Sequence, residues 1–228
     1  MRLVLALIFA ASAFADDNAP PEGFTAIFNG KDLSGWKATD EAKKHWIVRD
    51  GVIDYDGQNE DLWYDREFGD FILKVDWRFP RKPVDSEHVS ILPDGTDERD
   101  AGGNYVMIPG PEAGDSGIYL RGSSKSQVNL WCWPVGSGEV FGYRTDETMP
   151  PDIVKGVTPK KKADKPLGEW NSFTITMKGD RLTVVLNGEE VLSDARLPGV
   201  DPKGPIALQN HGDPVQFKNI YVKELPSK

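Results

Sequence analysis

The sequence predicts an all-β sandwich, in which two antiparallel sheets pack face to face. Three observations lead to this prediction. Short apolar segments alternate with period two, and turns rich in glycine and asparagine separate them. In addition, no stretch longer than a turn or two has the 3.6-residue period of an amphipathic helix. The chain has 228 residues, without an internal repeat or linker, so we expect one domain with a sizeable core.

The first predicted strands lie between residues 24 and 79. Residues 24–28 form a short apolar segment, and residues 46–53 surround Asp50-Gly51, a strong hairpin signal. Residues 71–79 give the clearest strand, because five apolar side chains alternate there with more polar ones. This alternation predicts that one face of the strand packs in the core.

A central hairpin is predicted from residues 115–121 and 127–133, with residues 122–126 as its loop. Period two places five apolar residues on one face: Ile118, Leu120, Val128, Leu130 and Cys132. The opposite face carries Tyr119, Arg121, Gln127, Asn129, Trp131 and Trp133. Aromatic rings beside amides and a guanidinium are typical of a sugar-binding surface. The alternative is an ordinary solvated face of a sheet.

Two irregular stretches flank this hairpin. Residues 80–114 are rich in proline, glycine and charge, which indicates a functional loop or an inserted hairpin. Residues 134–168 form the second stretch, which begins with a charged and aromatic segment that includes Glu139. His45 and His88 have polar neighbours in the sequence and are interpreted as surface residues.

The C-terminal third is regular again. Residues 173–177 and 182–186 alternate, and Asn187-Gly188 predicts a type I′ hairpin into residues 191–192. Residues 206–208 and 215–222 supply the last two strands. All of these segments are short strands, which agrees with the predicted fold class.

The N-terminus has the pattern of a secretory signal. Residues 1–15 combine Arg2, an apolar run and an Ala13-Phe14-Ala15 cleavage site. We therefore expect an exported, periplasmic or secreted protein, with a flexible lead at residues 16–23 and one β-sandwich domain at residues 24–228. The single cysteine cannot form an internal disulfide, and no apolar stretch is long enough to span a membrane. A net charge of −9 argues against nucleic acid as a partner.

Six motifs together resemble those of the bacterial 3-keto-disaccharide hydrolase-like family. They lie at residues 24–36 (F-x-x-L-F-N-G-x-D-L-x-G-W), 115–121 (N-S-G-I-x-L-R), 168–171 (G-E-W-N), 186–188 (L-N-G), 204–212 (G-x-I-x-L-Q-x-H-G) and 217–220 (F-R-N-I). The resemblance implies a concanavalin A-like jelly roll whose concave face holds sugar. It also implies activity on 3-keto-glycosides.

The chain departs from the family pattern in the central hairpin. The family strand that follows the arginine usually carries Glu, Gln and Asp at alternate positions, where this chain has Gln127, Asn129 and Trp131. Asp115 stands where the family usually has asparagine. An amide cannot act as a general base, so any base must lie elsewhere.

Cleavage of a 3-keto-glycoside by elimination requires a base near C2 and a positive group at the ketone oxygen. His211 is the first candidate for the base or for a metal ligand, and Gln209 shares its strand face. Asp115 and Glu139 are the other candidate bases, and Arg121 is the candidate for the positive group. A divalent metal, a possible Lewis acid, is the candidate cofactor.

The function predicted from the sequence is therefore an exported protein that binds a carbohydrate and cleaves 3-keto-glycosides, by hydrolysis or elimination. The main alternative is a non-catalytic carbohydrate-binding module, which needs only the aromatic and amide face. A third interpretation is a structural sandwich within a larger surface assembly.

Overall fold

The computed structural model describes residues 18–226 and confirms the all-β sandwich. The strands of this part of the chain are β1 Thr25–Ala26, β2 Trp46–Arg49, β3 Val52–Tyr55, β4 Leu62–Phe68, β5 Phe71–Arg78, β6 Val84–Val89, β7 Met107–Glu112, β8 Ser116–Leu120, β9 Ser123–Leu130, β10 Asn171–Lys178, β11 Arg181–Leu186, β12 Glu189–Arg196, β13 Gly204–Leu208 and β14 Val215–Glu224. The helices are short: α1 Ala42–His45, α2 Phe141–Arg144 and α3 Pro151–Gly156.

Antiparallel pairing arranges these strands in three sheets. The large sheet has the order β12-β11-β10-β5-β14-β3-β2, with β1 paired to β14. The small sheet has the order β4-β13-β8-β9. Strands β6 and β7 pair only with each other, and together with their connecting residues 90–106 they form a projecting hairpin that we call the arm. The irregular stretch at residues 80–114 is therefore an inserted hairpin, one of the two predicted alternatives.

Apolar side chains from both sheets form one core. In β5, Phe71, Leu73, Val75 and Trp77 are buried, and the residues between them are partly exposed. The apolar residues of β8 and β9 that the period predicted to face the core join the same cluster. Burial of a large aliphatic or aromatic side chain stabilises the fold by about 1.5–3 kcal/mol, so these alternating faces hold the two sheets together.

Two predicted hairpins have the turn geometry that their sequences require. Asp50 and Gly51 have φ of 51° and 76° between β2 and β3, and Asn187 and Gly188 have φ of 53° and 86° between β11 and β12. A type I′ turn needs positive φ at both central residues, which asparagine, aspartate and glycine tolerate best.

The central hairpin differs from its prediction at both ends. Its turn is not the five residues 122–126 but the two residues Arg121 and Gly122, which have φ of 51° and 77°. Strand β9 starts directly afterwards and contains a bulge opposite Tyr119. It ends at Leu130, so Trp131 and Trp133 lie beyond the strand.

The predicted export signal at residues 1–15 lies outside the part of the chain that the structure describes. Of the predicted flexible lead, residues 18–23 are described. The Asn18 side-chain oxygen accepts a hydrogen bond from the backbone amide of Asn219 (3.1 Å), and the Asn18 side-chain amide donates to the Gly51 carbonyl (2.8 Å). These bonds attach this part of the lead to the large sheet. Within residues 18–226, no helix has the length and apolar character required to cross a membrane.

Candidate active site

The small sheet has one face in the core and one face turned away from it. The core face carries Leu62, Ile118, Leu120, Val128, Leu130, Ile206 and Leu208. The alternate residues of the four strands form what we call the outer face: Trp63, Gly117, Tyr119, Gln127, Asn129, Ala207 and Gln209. The predicted split of the central hairpin between an apolar and an amide-bearing face is thus present in β8 and β9.

Amide and aromatic side chains pack closely on the outer face. The Gln127 side chain donates a hydrogen bond to Asn129 Oδ1, and Gln209 forms a side-chain hydrogen bond with the Tyr119 hydroxyl. The Tyr119 ring lies 5.7 Å from that of Trp63. Gly117 is required here because a Cβ at this position would overlap the Gln127 amide. The outer face is therefore an ordered polar surface.

Asp115 and His211 extend the outer face past the ends of β8 and β13. Backbone contacts continue there, since the Gln209 amide donates to the Gly117 carbonyl (2.9 Å) and the Ser116 hydroxyl donates to the Gln209 carbonyl (2.9 Å). His211 Nδ1 lies 4.0 Å from Asp115 Oδ2. The His211 side chain is 52% exposed and that of Asp115 is 25% exposed, so the pair lies at the rim of the sheet.

Asp115 has the electrostatics of a proton-transfer group. Burial, with the nearby carboxylates of Glu112 and Asp213, raises the pKa of Asp115 to about 7. The Asp115 backbone amide donates to Asp213 Oδ2 (3.1 Å), and Arg81 pairs with the other oxygen of Asp213 (2.9 Å). A carboxyl group with this pKa can both accept and release a proton near neutral pH.

Glu139 is a second buried acid beside the outer face. The Asn129 amide donates to the Glu139 carbonyl (2.9 Å) and the Gly138 amide donates to the Asn129 carbonyl (2.8 Å), so this segment extends the sheet beyond β9. Burial raises the pKa of Glu139 to about 7, although the paired Arg144 opposes the shift. Arg144 also pairs with Asp97 of the arm (2.8 Å).

Two side-chain oxygens of this region are buried and have no hydrogen-bond partner among the described residues. They are Gln209 Oε1 and Glu139 Oε2. A buried acceptor that lacks a donor costs about 1–3 kcal/mol. Both oxygens have unused acceptor capacity, and a ligand hydroxyl would reach either one only after the side chains that cover it move.

The predicted position of Arg121 in the cleft is wrong. The Arg121 side chain is buried, with its guanidinium donating to three carbonyls, those of Gly69 (2.9 Å), Gly179 (2.6 Å) and Asp201 (3.0 Å). It also pairs with Asp70 at 2.9 Å. The positive φ at Arg121 ends the alternation of side chains along the strand. Arg121 also lies six residues after Asp115, which corresponds to roughly 20 Å along the strand direction. Arg121 therefore holds together the loops that contain Gly69, Gly179 and Asp201, at the end of the sandwich away from Asp115.

The two predicted tryptophans have different environments. Their rings stack with centroids 4.4 Å apart and an interplanar angle of 7°. Trp131 is buried and donates from Nε1 to the Gly136 carbonyl (2.7 Å). Trp133 is partly exposed and lines a cavity of about 650 Å³ between the arm and helices α2 and α3. Trp133 is therefore the more accessible of the two rings, although Trp131 lines a smaller cavity of about 280 Å³.

Sequence reasoning missed two parts of this region. Asp61, which precedes β4, accepts a hydrogen bond from the Asn210 amide (2.8 Å), and burial raises its pKa. Asp61 and Trp63 are two residues apart, and this spacing could have indicated that they share a sheet face. Strand β4 itself, however, was not predicted. His88 is buried rather than on the surface, with its ring 5.9 Å from that of Trp133.

The described side chains do not supply a metal-ligand set. Within residues 18–226 there is no group of three or more His, Cys, Asp or Glu side chains arranged to hold a metal ion. His211 and Asp115 are two potential ligands, whereas a catalytic zinc site usually has three from the protein. The predicted metal therefore has no site that these residues define.

Comparisons with known proteins agree with this picture of the fold. The sequence model of the 3-keto-alpha-glucoside-1,2-lyase-like domain matches residues 23–223. A 3-keto-disaccharide hydrolase of Bacteroides thetaiotaomicron is 24% identical over 243 residues, which covers 90% of this chain and 79% of that protein. Two solved structures from Parabacteroides distasonis, provisionally described as glycosyl hydrolases, have a similar fold. One has a TM-score of 0.59 and 22% identity, covering 92% of this chain and 100% of that one. The other has a TM-score of 0.62 and 23% identity, covering 90% and 85%.

Proposed function

We propose, because the chain belongs to the 3-keto-alpha-glucoside-1,2-lyase-like domain family, that it is an enzyme that cleaves glycosides carrying a ketone at C3 of the sugar. The observation that carries the proposal is the rim pair, in which Asp115, with a pKa of about 7, lies 4.0 Å from His211. The name of the Bacteroides relative supports the same substrate class.

The proposed reaction starts at C2, whose proton is acidic because its carbanion is an enolate of the neighbouring ketone. Asp115 takes this proton, and the C–H electron pair forms the enolate. The C1–O bond then breaks, and its electron pair leaves on the glycosidic oxygen. That oxygen takes a proton from Glu139, which burial keeps partly protonated near neutral pH and which must become accessible when the substrate binds, since its side chain is fully buried. Addition of water across the resulting C1–C2 double bond gives net hydrolysis, whereas release of the unsaturated sugar gives elimination.

Other outer-face side chains would orient the substrate. His211 is exposed beside Asp115 and is the group that would bind the developing enolate oxygen, a role that the distant Arg121 cannot fill. Gln209 Oε1 would accept a hydrogen bond from a sugar hydroxyl. These contacts would place C2 within reach of Asp115.

The decisive experiment compares 3-keto-glycosides with their unoxidised parents, each incubated with and without a chelator. We expect the keto-glycosides to be cleaved and the parents to remain intact. Equal cleavage of the keto-glycosides and of their unoxidised parents would contradict the proposed chemistry. Loss of cleavage with the chelator would place a metal in the reaction.

A non-catalytic carbohydrate-binding module remains the second candidate, and the packed amides of the outer face favour it. Gln127 and Asn129 occupy positions where a base was expected, and binding alone does not need one. The same incubation separates the two candidates. Sugar binding without turnover of any keto-glycoside, at any pH and with any added metal, would support the binding module.

We also propose that the protein is exported, on the basis of the signal pattern in residues 1–15. Expression of the full chain in a bacterial host, followed by N-terminal sequencing of periplasmic material, tests this. We expect a mature N-terminus near Asp16. Retention of the apolar run at residues 3–9 in exported protein would contradict it.

A further inference from the structure

The structure contains a cavity whose lining shares no residue with the outer face. It is the cavity of about 650 Å³ between the arm and helices α2 and α3, and we call it the arm cavity. Its volume lies within the range of about 300–1,000 Å³ that is usual for small-molecule sites. Asp97, Arg99 and Tyr105 belong to its arm wall, and Phe141, Arg144 and Asp146 belong to the wall formed by α2 and the residues after it.

Arg144 fixes the distance between these two walls. Its side chain is only 4% exposed, and its Nη1 donates to Asp97 Oδ1 (2.8 Å) and to the Gly95 carbonyl (3.3 Å) in the arm. The same guanidinium pairs through Nε with Glu139, the buried acid beside the outer face. A buried arginine therefore holds the arm at a fixed distance from α2 and connects the arm cavity to Glu139.

The lining of the arm cavity combines aromatic rings with ionised groups. Trp133 is backed by the stacked ring of Trp131, and Tyr105 is stacked beneath the Arg99 guanidinium at 4.1 Å. Tyr105 and Phe141 are 48% and 43% exposed. Rings of this kind pack against the C–H faces of a pyranose, and planar charged groups between them bind its hydroxyls.

Basic side chains pair with two acids of the arm cavity. Asp97 is paired with Arg144, and Asp146 is held by Lys125 (2.5 Å), whose hydrogen bond is the largest cause that lowers the pKa of Asp146. The Asp146 carboxylate therefore remains ionised at neutral pH. At the outer face, burial instead raises the pKa of Asp115 and of Glu139, so the groups suited to proton transfer lie there.

We infer that the arm cavity binds the leaving-group sugar of the substrate, while the keto sugar occupies the outer face. This inference rests on the proposed function. Two short chains of contacts connect the regions. One runs from Trp133 to His88 (5.9 Å) and on to Glu112 (3.9 Å), which is close enough to Asp115 to raise its pKa. The other is the Arg144–Glu139 pair. The protein would thus select a disaccharide over a glycoside with a small aglycone.

The test uses the double variant Tyr105→Ala and Phe141→Ala, since both rings are exposed and their removal should leave the fold intact. The matched control is Trp170→Ala, which removes a ring stacked with Arg78 and Lys218 on the large sheet. For each protein, kcat/KM is measured with 3-ketomaltose and with methyl 3-keto-α-glucoside. Calorimetric titration with unoxidised maltose gives a binding constant that does not depend on catalysis.

We expect the ratio of kcat/KM for 3-ketomaltose over the methyl glycoside to fall about tenfold in the double variant, with a similar loss of maltose affinity. The Trp170→Ala control should match wild type. If no keto-glycoside is cleaved but maltose binding is lost only in the double variant, the proposed reaction is wrong and the arm cavity still binds sugar. An unchanged ratio with unchanged maltose binding, or a wild type that neither binds maltose nor prefers the disaccharide, would overturn the inference.

Discussion

His211 lies opposite Asp115 because β13 and β8 keep their register past their own ends. The ladder pairs Ala207 with Tyr119, the Gln209 amide still donates to the Gly117 carbonyl in the same register, and the side chains of His211 and Asp115 meet two residues further on. The result is an imidazole nitrogen 4.0 Å from a carboxylate oxygen at the rim. Since alternate residues share a face, the packed amides of the outer face lead directly to this pair.

Replacement of Asp115 tests the proposed base. We expect Asp115→Asn to lower kcat for a 3-keto-glycoside by about 100- to 10,000-fold, because an amide cannot take the C2 proton. In the wild type, kcat/KM should peak near pH 7, because it rises as Asp115 ionises and falls as Glu139 loses the proton that it donates. Steady-state kinetics across pH measure both effects. The control is Asp40→Asn, a fully exposed acid, which should keep wild-type activity. Full activity of Asp115→Asn would show that the base is another group.

Arg121 supports the fold and not the reaction. Replacement by alanine removes one donor from Asp70 and the guanidinium donors from three loop carbonyls, and loss of one partner of a buried ion pair costs about 3–5 kcal/mol. We expect a corresponding loss in the free energy of unfolding, measured by urea titration, with the affinity for sugar unchanged. Arg66→Ala removes an exposed pair with Glu224 and should cost at most about 1 kcal/mol. Weakened sugar binding without loss of stability would show that Arg121 belongs to the sugar-binding site.

Much of this arrangement follows from sequence periodicity. Period two through residues 115–120 and 206–211 is enough to separate Ile118, Leu120 and Leu208 from Asp115 and His211. The side chains that were predicted correctly are those in regular strands, because alternation there is local and does not depend on the rest of the fold.

Errors occur where the chain leaves regular strands. The Arg121–Gly122 turn rotates the arginine out of the alternation, and Gly122 was the only local sign of it. Glu139 reaches Asn129 through a pairing across ten residues, which no local pattern specifies. Strand β4 was missed because its central residues Asp65 to Glu67 are charged and exposed, so that its apolar face is short.

The stability of the protein should depend on pH through Asp115. Its folded-state pKa of about 7 lies above the ordinary value of 3.8, so the folded state binds the proton more tightly than the unfolded state. The resulting stabilisation is complete below about pH 4 and is lost as pH rises through about 7. We expect Asp115→Asn, which cannot ionise, to gain up to about 2–4 kcal/mol relative to wild type between pH 5 and pH 9. Urea denaturation of both proteins at several pH values measures the difference. A constant difference would mean that Asp115 titrates normally.

His211 should matter for turnover far more than for folding. Its side chain is about half exposed and contacts Asp115 only across 4.0 Å, so His211→Ala should change the free energy of unfolding by about 0.5 kcal/mol or less. If the imidazole binds the enolate oxygen, a charge that develops only in the transition state, its loss should lower kcat and leave KM nearly unchanged. Steady-state kinetics with a 3-keto-glycoside measure kcat and KM separately for the variant and the wild type. His45→Ala is the matched control, since His45 also lies beside a carboxylate, that of Asp56 at 2.9 Å, on the large sheet. A rise in KM with unchanged kcat would instead assign His211 to ground-state binding of the sugar.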